Sequence, residues 1–354
     1  MIESTPSLIV TRFRDLGWLF GWFSRHNWLG SGISNTVAEK LRVLPFVRTF
    51  SVLAADMLLD TRRLTNARPK NEKSALKVQR ALPINIWVLY GTVRVRHHKL
   101  RLGVYIIGQD GDKEQAFWSG QYDHILQGIN AVSVAIAEGL AAKIEGQTRQ
   151  WDRARLEKAG IPNSIQAYEV FSRATHSRLG KEKARLYQEA ISLDPNFASA
   201  YAGLGTQLAR HGRSRQAISC FKKQIEIQPY DHQGHSSLGM AYGDQGEYDA
   251  ALSELKLAVE LYGQGDPDVF SNLGAVYHLM KQYDKALEFY DKGLNLNPVD
   301  GDIHFSIAKC LFARSGYTGR DEICPHLKKA LDLYGPIHAE KRSRVQAMLS
   351  EVCS

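Results

Sequence analysis

His97, His98, Asp110, Asp112 and Glu114, two histidines and three carboxylates, are the residues whose types come closest to a metal site. A divalent cation needs such donors converging on one point. Here the histidines fall at one expected turn and the acids at the next, and Asp110-Gly-Asp-Lys-Glu lacks the ligand spacing and glycine position of a calcium-binding loop. They read as solvent-facing turn residues. No Gly-x-Ser-x-Gly elbow, His-Glu-x-x-His pair or zinc-type Cys/His set occurs in the chain. Scattered Ser, His and Asp side chains could still meet in three dimensions. Cys220, Cys310, Cys324 and Cys353 share no Cys-x-x-Cys spacing and fit a reducing compartment. Cys220 and Cys310 fall on helical patterns, where a free thiol behaves as a small hydrophobe. On this reading the chain has no catalytic residue, no metal ligand and no cofactor.

Anion binding is the other chemistry on offer. Arg94, Arg96, His97, His98, Lys99 and Arg101 gather positive charge in one short stretch, as phosphate contacts require. No helix-turn-helix, aromatic RNA-reading pair or zinc finger accompanies them to read bases. Arg94, Arg96, Lys99 and Arg101 therefore stand as a patch for an anionic partner, with nucleic acid disfavoured. The net charge of +8 sits mostly in the first 150 residues, which hold 20 Lys and Arg against 12 Asp and Glu; residues 151–354 hold 25 of each. Such asymmetry marks an anionic partner or a scatter of solvated side chains.

The elements that must carry these residues can be read in order. Leu8, Ile9 and Val10 mark a short strand, and Phe46 to Val52 a second. Between them, Gly17-Trp18-Leu19-Phe20-Gly21-Trp22-Phe23 with Trp28 is either a loop folded over the core or an exposed apolar patch. Ser34 caps a helix through Val37, Leu41 and Leu44 that Pro45 closes; the preceding glycines match no phosphate-cradling pattern. Residues 56–74 form a polar loop, and a short helix follows at 75–82. Strict alternation then predicts a hairpin, Ile86 to Arg96 and Leu100 to Ile107, turning at His97-His98-Lys99. Its one face is apolar (Val93, Val95, Leu100, Leu102, Val104, Ile106) and its other carries Arg94, Arg96 and Arg101. A strand at 116–122 and a helix at 125–145 complete an α/β domain. No apolar run reaches the roughly 18 residues of a membrane span, which places the protein in the cytoplasm.

Beyond the polar linker the pattern changes to a lattice. Leu204-Gly205, Leu238-Gly239 and Leu273-Gly274 recur every 34 or 35 residues, each followed twelve places on by Ala217, Ala251 or Ala286, and in two cases later by Pro229 or Pro298. The pattern resembles the tetratricopeptide repeat (TPR), with an aromatic or His at place four (Tyr201, His235, Phe270) and Leu or Tyr at place eleven (Leu208, Tyr242, Tyr277). Each unit is then a helix pair crossing at Gly or Ala and ended by proline, and repeats stack because one pair cannot cover its own apolar face. The repeats are expected at 198–231, 232–266 and 267–300, after a degenerate one at 164–197 and before a divergent one at 301–336. A capping helix at 337–354 is expected to point Lys341, Arg342 and Arg344 outward.

Residues 1–147 in turn resemble the TolB-like amino-terminal domain, on the strength of Leu89-Tyr-Gly-Thr-Val-Arg94 and Phe117-Trp-Ser-Gly-Gln-Tyr-Asp123 before an Ile/Ala-rich helix. The fold expected is an α/β amino-terminal domain, a linker at 148–163, and an all-α TPR solenoid. The TPR resemblance implies a partner protein or peptide in the concave groove, touching Thr206, Arg210, Gln233, Met240, Asp244, Asp268, Ser271, His278, Phe305, Lys309 and Phe312. Met240, Phe305 and Phe312 serve there as apolar anchors or pack between repeats. Chaperone-binding members of the family hold a terminal carboxylate with Lys, Asn and Arg, a clamp that Ala202, Thr206, Ser237, Asp268 and Asn272 do not reproduce. A bacterial interaction scaffold is the first expectation. The other is a sensor subunit whose amino-terminal domain binds a small ligand or nucleotide and acts on a separately encoded cyclase or transcription factor.

Overall fold

The computed structural model describes residues 162–177, 179–262, 266–334 and 338–353, six strands of the amino-terminal half, and Val37, Ala131, Val134 and Ala135, which are helical. The chain divides into two compact units, residues 1–204 and 205–354.

The strands are β1 (Ser7–Val10), β2 (Arg14–Asp15), β3 (Arg48–Phe50), β4 (Ile86–Arg96), β5 (Lys99–Ile107) and β6 (Ala116–Tyr122). One mixed sheet joins them in the order β3-β1-β4-β5-β6, with β2 also pairing β4. β1 is parallel to β3 and β4, whereas β4-β5 and β5-β6 are antiparallel. The register pairs Val93 with Leu102, Val95 with Leu100, Arg94 with Arg101 and Arg96 with Lys99. Alternation demands this register, because a slip of one residue would mix the apolar and basic sets. Lys99 opens β5 instead of lying in the turn, since its backbone pairs with Arg96. The helices expected at 75–82 and over most of 34–45 and 125–145, the loop 56–74, the Trp-rich segment 17–28 and most of the linker lie outside the described residues.

The helices are α1 (Ile165–His176), α2 (Gly180–Leu193), α3 (Ala198–Arg210), α4 (Ser214–Ile227), α5 (His232–Gly243), α6 (Tyr248–Tyr262), α7 (Pro267–Leu279), α8 (Tyr283–Leu296), α9 (Gly301–Ser315), α10 (Arg320–Leu333) and α11 (Ala339–Val352). In the first unit α1 packs on α2, with Phe171 against Tyr187 and Phe197. In the second, α5-α6, α7-α8 and α9-α10 are hairpins, each packed on the next, and the first helices α5, α7 and α9 adjoin one another. This is the all-helical repeat stack that the lattice implies.

Its recurring residues act as the spacing requires. A Cβ on Gly205 would meet the Phe221 ring at 2.6 Å, on Gly239 the Leu255 side chain at 2.8 Å, and on Gly274 the Tyr290 ring at 2.7 Å. Ala217, Ala251 and Ala286 are wholly buried. Pro195, Pro229 and Pro298 follow directly on the last residue of a second helix and its cap, where no further turn is to be hydrogen-bonded. Aspartates begin α5, α7 and α9. Asp231 accepts from the Gln233 amide (3.1 Å), Asp266 from Asp268 (2.9 Å), and Asp300 from Asp302 (2.9 Å) and Ile303 (3.1 Å).

Two expectations about the carboxyl-terminal end are corrected. Cys324 and Cys353 form a disulfide between α10 and the end of α11. Such bonds persist in oxidising compartments, so the cysteines do not argue for a reducing one. Lys341 and Arg342 are not simply outward: Lys341 pairs with Asp302, and Arg342 donates to the carbonyl oxygens of Leu331 (2.8 Å) and Tyr334 (2.6 Å). Those carbonyls end α10 and have no partner within their own helix.

Candidate functional site

α5 adjoins α7 and α7 adjoins α9, so these first helices, which carry most of the expected groove residues, form one layer. Asp268 and Lys309 are exposed, as is Asp244 at the cap of α5; Gln233, Met240, Ser271, His278, Phe305 and Phe312 are half-buried. Thr206 and Arg210 lie exposed on α3. Met240 packs in part on a cluster containing Leu255, Val269 and Leu273, and Phe305 and Phe312 in part on one containing Ile307, Leu311 and Val345. Part of each of these three side chains thus joins the inter-repeat core and part reaches the surface.

Polar contacts fix the first helices against their neighbours. Asn272 Nδ2 on α7 donates to Ser236 Oγ on α5 at 2.9 Å, and His232 Nε2 meets Asp266 at 3.2 Å. His235 has Glu254 at 2.7 Å on Nδ1 and the Pro229 carbonyl at 3.1 Å on Nε2. Such buried contacts hold the layer rigid under a varied surface.

At the α9 end the layer is basic. Lys309 Nζ stands 5.1 Å from the centre of the Phe305 ring. Although Lys309 is exposed overall, partial desolvation lowers its pKa, the nearby Arg344 guanidinium lowers it further, and Asp302 opposes them. His278, edge-on to Tyr283, is likewise held below its ordinary value by burial and by Lys309. Asp244 is raised by burial. Arg344 is the residue that sequence reasoning missed. It lies outside the repeat lattice, and only the packing of α11 brings it to the layer.

Nucleophilic chemistry finds little support among the described residues. Burial pushes the Cys310 thiol up to about 11 and raises that of Cys220, away from the thiolate form that reacts. No group of three or more His, Cys, Asp and Glu residues that could hold a metal ion occurs among them. For Arg94, Arg96, Lys99 and Arg101 the structure gives the strand register alone.

Tetratricopeptide repeat models match residues 186–219, 233–264 and 267–299, so the chain carries TPR repeats. Anaphase-promoting complex subunit 3 of Schizosaccharomyces pombe is 30% identical over 122 residues, 34% of this chain and 18% of that protein. Hsp70-Hsp90 organizing protein 2 of Arabidopsis thaliana is 33% identical over 121 residues, 33% of this chain and 20% of that protein. The matched stretch spans about a fifth of these relatives' length. Among solved structures, a thermophilic TPR protein of Thermus thermophilus is 22% identical, covering 48% of this chain and 90% of its own, with a TM-score of 0.43. No described helix is long and apolar enough to cross a membrane.

Proposed function

We propose that this chain is a non-catalytic protein-interaction scaffold whose layer of first helices binds a segment of a partner protein. The observation that carries the reading is a division within each repeat. The Leu-Gly, Ala and Asp places are shared and serve packing or capping, while the groove places differ from repeat to repeat and reach the surface. A surface varied on a fixed frame is what selective binding needs. The relatives support the same reading in kind, one being named as a subunit of a complex and another as an organizer of two chaperones. Residues 1–147, as a TolB-like α/β domain, and the basic β4-β5 hairpin belong to the same proposal as a second contact region.

The test is an affinity pull-down from the native host with the full chain against Met240→Glu and Phe305→Glu variants shown by circular dichroism to be folded. Specific partners should be lost from the variants. Folded variants that retain every partner would overturn the assignment of this layer.

A further inference from the structure

The strand register places residues that are far apart in sequence on one face of the sheet. Every second residue of β4 from Tyr90 gives Thr92, Arg94 and Arg96, and the β5 partners of these four are Tyr105, Gly103, Arg101 and Lys99. β2 adds Arg14 as the partner of Thr92, and β6 adds Ser119 as the partner of Gly103 and Gln121 as that of Arg101. The face therefore reads in rungs: Tyr90-Tyr105, then Arg14-Thr92-Gly103-Ser119, then Arg94-Arg101-Gln121, then Arg96-Lys99. Among the residues of the six described strands Asp15 is the only carboxylate, and its partner Val93 belongs to the other face. Five cations thus share these rungs with no acid. Like charges directly opposite one another weaken a sheet. Arg94-Arg101 and Arg96-Lys99 are two such pairs on successive rungs, about 7 Å apart along the strands. An anionic chain laid across the rungs relieves that repulsion.

We infer that this face binds single-stranded nucleic acid, with phosphates along the cation rungs and unpaired bases stacking against the Tyr90-Tyr105 rung. The inference takes up the second contact region proposed above and names its partner; it does not depend on the first-helix layer. Charge alone suits any polyanion, and the tyrosine rung chooses among them. Aromatic side chains on a sheet stack with bases that are splayed out of a single strand, whereas the bases of a duplex are already stacked on one another. Gly103 lies between the aromatic and the basic rungs, and glycine inside a strand is a place where another backbone can approach closely. The linear pattern shows no aromatic pair, because Tyr90 and Tyr105 are set opposite one another only by the register.

Fluorescence anisotropy of labelled poly-U and poly-dT oligonucleotides, titrated with the full chain over a range of salt concentrations, supplies the test. Both should bind at low salt, and any difference between them shows whether the 2′-hydroxyl is read. With about four phosphates neutralised, the logarithm of the association constant should fall against that of the salt concentration with a slope of about −3. Arg94→Gln/Arg101→Gln should make the slope shallower by about 1.4, whereas Arg94→Lys/Arg101→Lys should keep it. Tyr90→Leu/Tyr105→Leu, which retains apolar bulk, should weaken binding about tenfold at every salt concentration and leave the slope unchanged. Absence of binding by the unaltered chain at low salt overturns the inference whether or not any variant folds. A duplex bound as tightly as the single strand does the same, as does a slope unmoved by the glutamine variant or an affinity unmoved by the leucine variant. Full displacement of the oligonucleotide by phosphatidylserine vesicles at equal phosphate concentration would reassign the face to a membrane surface and overturn it too. Met240→Glu should leave oligonucleotide binding unchanged; its loss there would move the site to the first-helix layer. Failure of the oligonucleotide tests leaves the pull-down of that layer unaffected.

Discussion

In four of the helix pairs the turn between the two helices holds one residue of positive φ. Gly212, Gly246 and Gly316 take positive φ there, and so does Lys281, at 59°. In three of these turns the hydrogen bonds match. The amide of Gly212, Gly246 or Lys281 donates to the carbonyl three residues back at 2.9–3.0 Å, and the next amide reaches the carbonyl five residues before it. A side chain with a Cβ is disfavoured in this conformation. Lys281→Gly should therefore raise stability by about 0.5–1 kcal/mol in urea unfolding, the gain being moderated by the freer unfolded chain. The opposite substitution at a crossing is costly. Gly274→Ala would drive a methyl group to 2.7 Å from the Tyr290 ring and 3.0 Å from the Ala286 carbonyl, so a loss of about 1–3 kcal/mol is expected.

His304 and His326 carry a pH dependence of definite sign. Their Nδ1 atoms lie 3.0 Å apart, a hydrogen bond that needs one donor and one acceptor and fails when both rings are cations. Burial lowers both pKa values. His304 is lowered further by His326 and Lys329, while Asp291 opposes the effect at His326. The folded state therefore resists protons that the unfolded state accepts, and stability should fall as pH drops below about 6.5, the ordinary histidine value. A His326→Gln variant should show a shallower loss between neutral and mildly acidic pH. An unchanged slope would remove this pair as the cause.

At the level of elements, helix ends carry much of the specification. The Leu-Gly crossings and the prolines were legible in the sequence, because close approach and chain termination each select a residue type at fixed spacing; the Asp231, Asp266 and Asp300 caps, which recur with the repeat, emerged from the structure. Lys281 was not, since its type contradicts its conformation. Nor was the Lys309-Arg344 neighbourhood, which joins two helices through space. The Cys324-Cys353 bond was equally hidden, because four cysteines allow several pairings and spacing does not choose among them. That bond closes a separation of 29 residues, for which chain entropy gives about 3–4 kcal/mol. A Cys353→Ser variant should melt correspondingly lower, and reductant should lower the midpoint of the unaltered chain but not of the variant.

Over the whole molecule, local periodicity was the readable part. Alternation located β4, β5 and β6, and the 34- to 35-residue rhythm located the hairpins of the second unit. On the proposed function, what the chain recognises is written in residues that break the rhythm, and periodicity does not point to those. In such an array each hairpin leans chiefly on its neighbours, so stability is distributed along a line. The covalent tie between α10 and α11 gives that line a direction. With the terminal helix stapled to its neighbour, α11 should resist fraying under heat or a pulling force, and reducing the staple should let that end fray first.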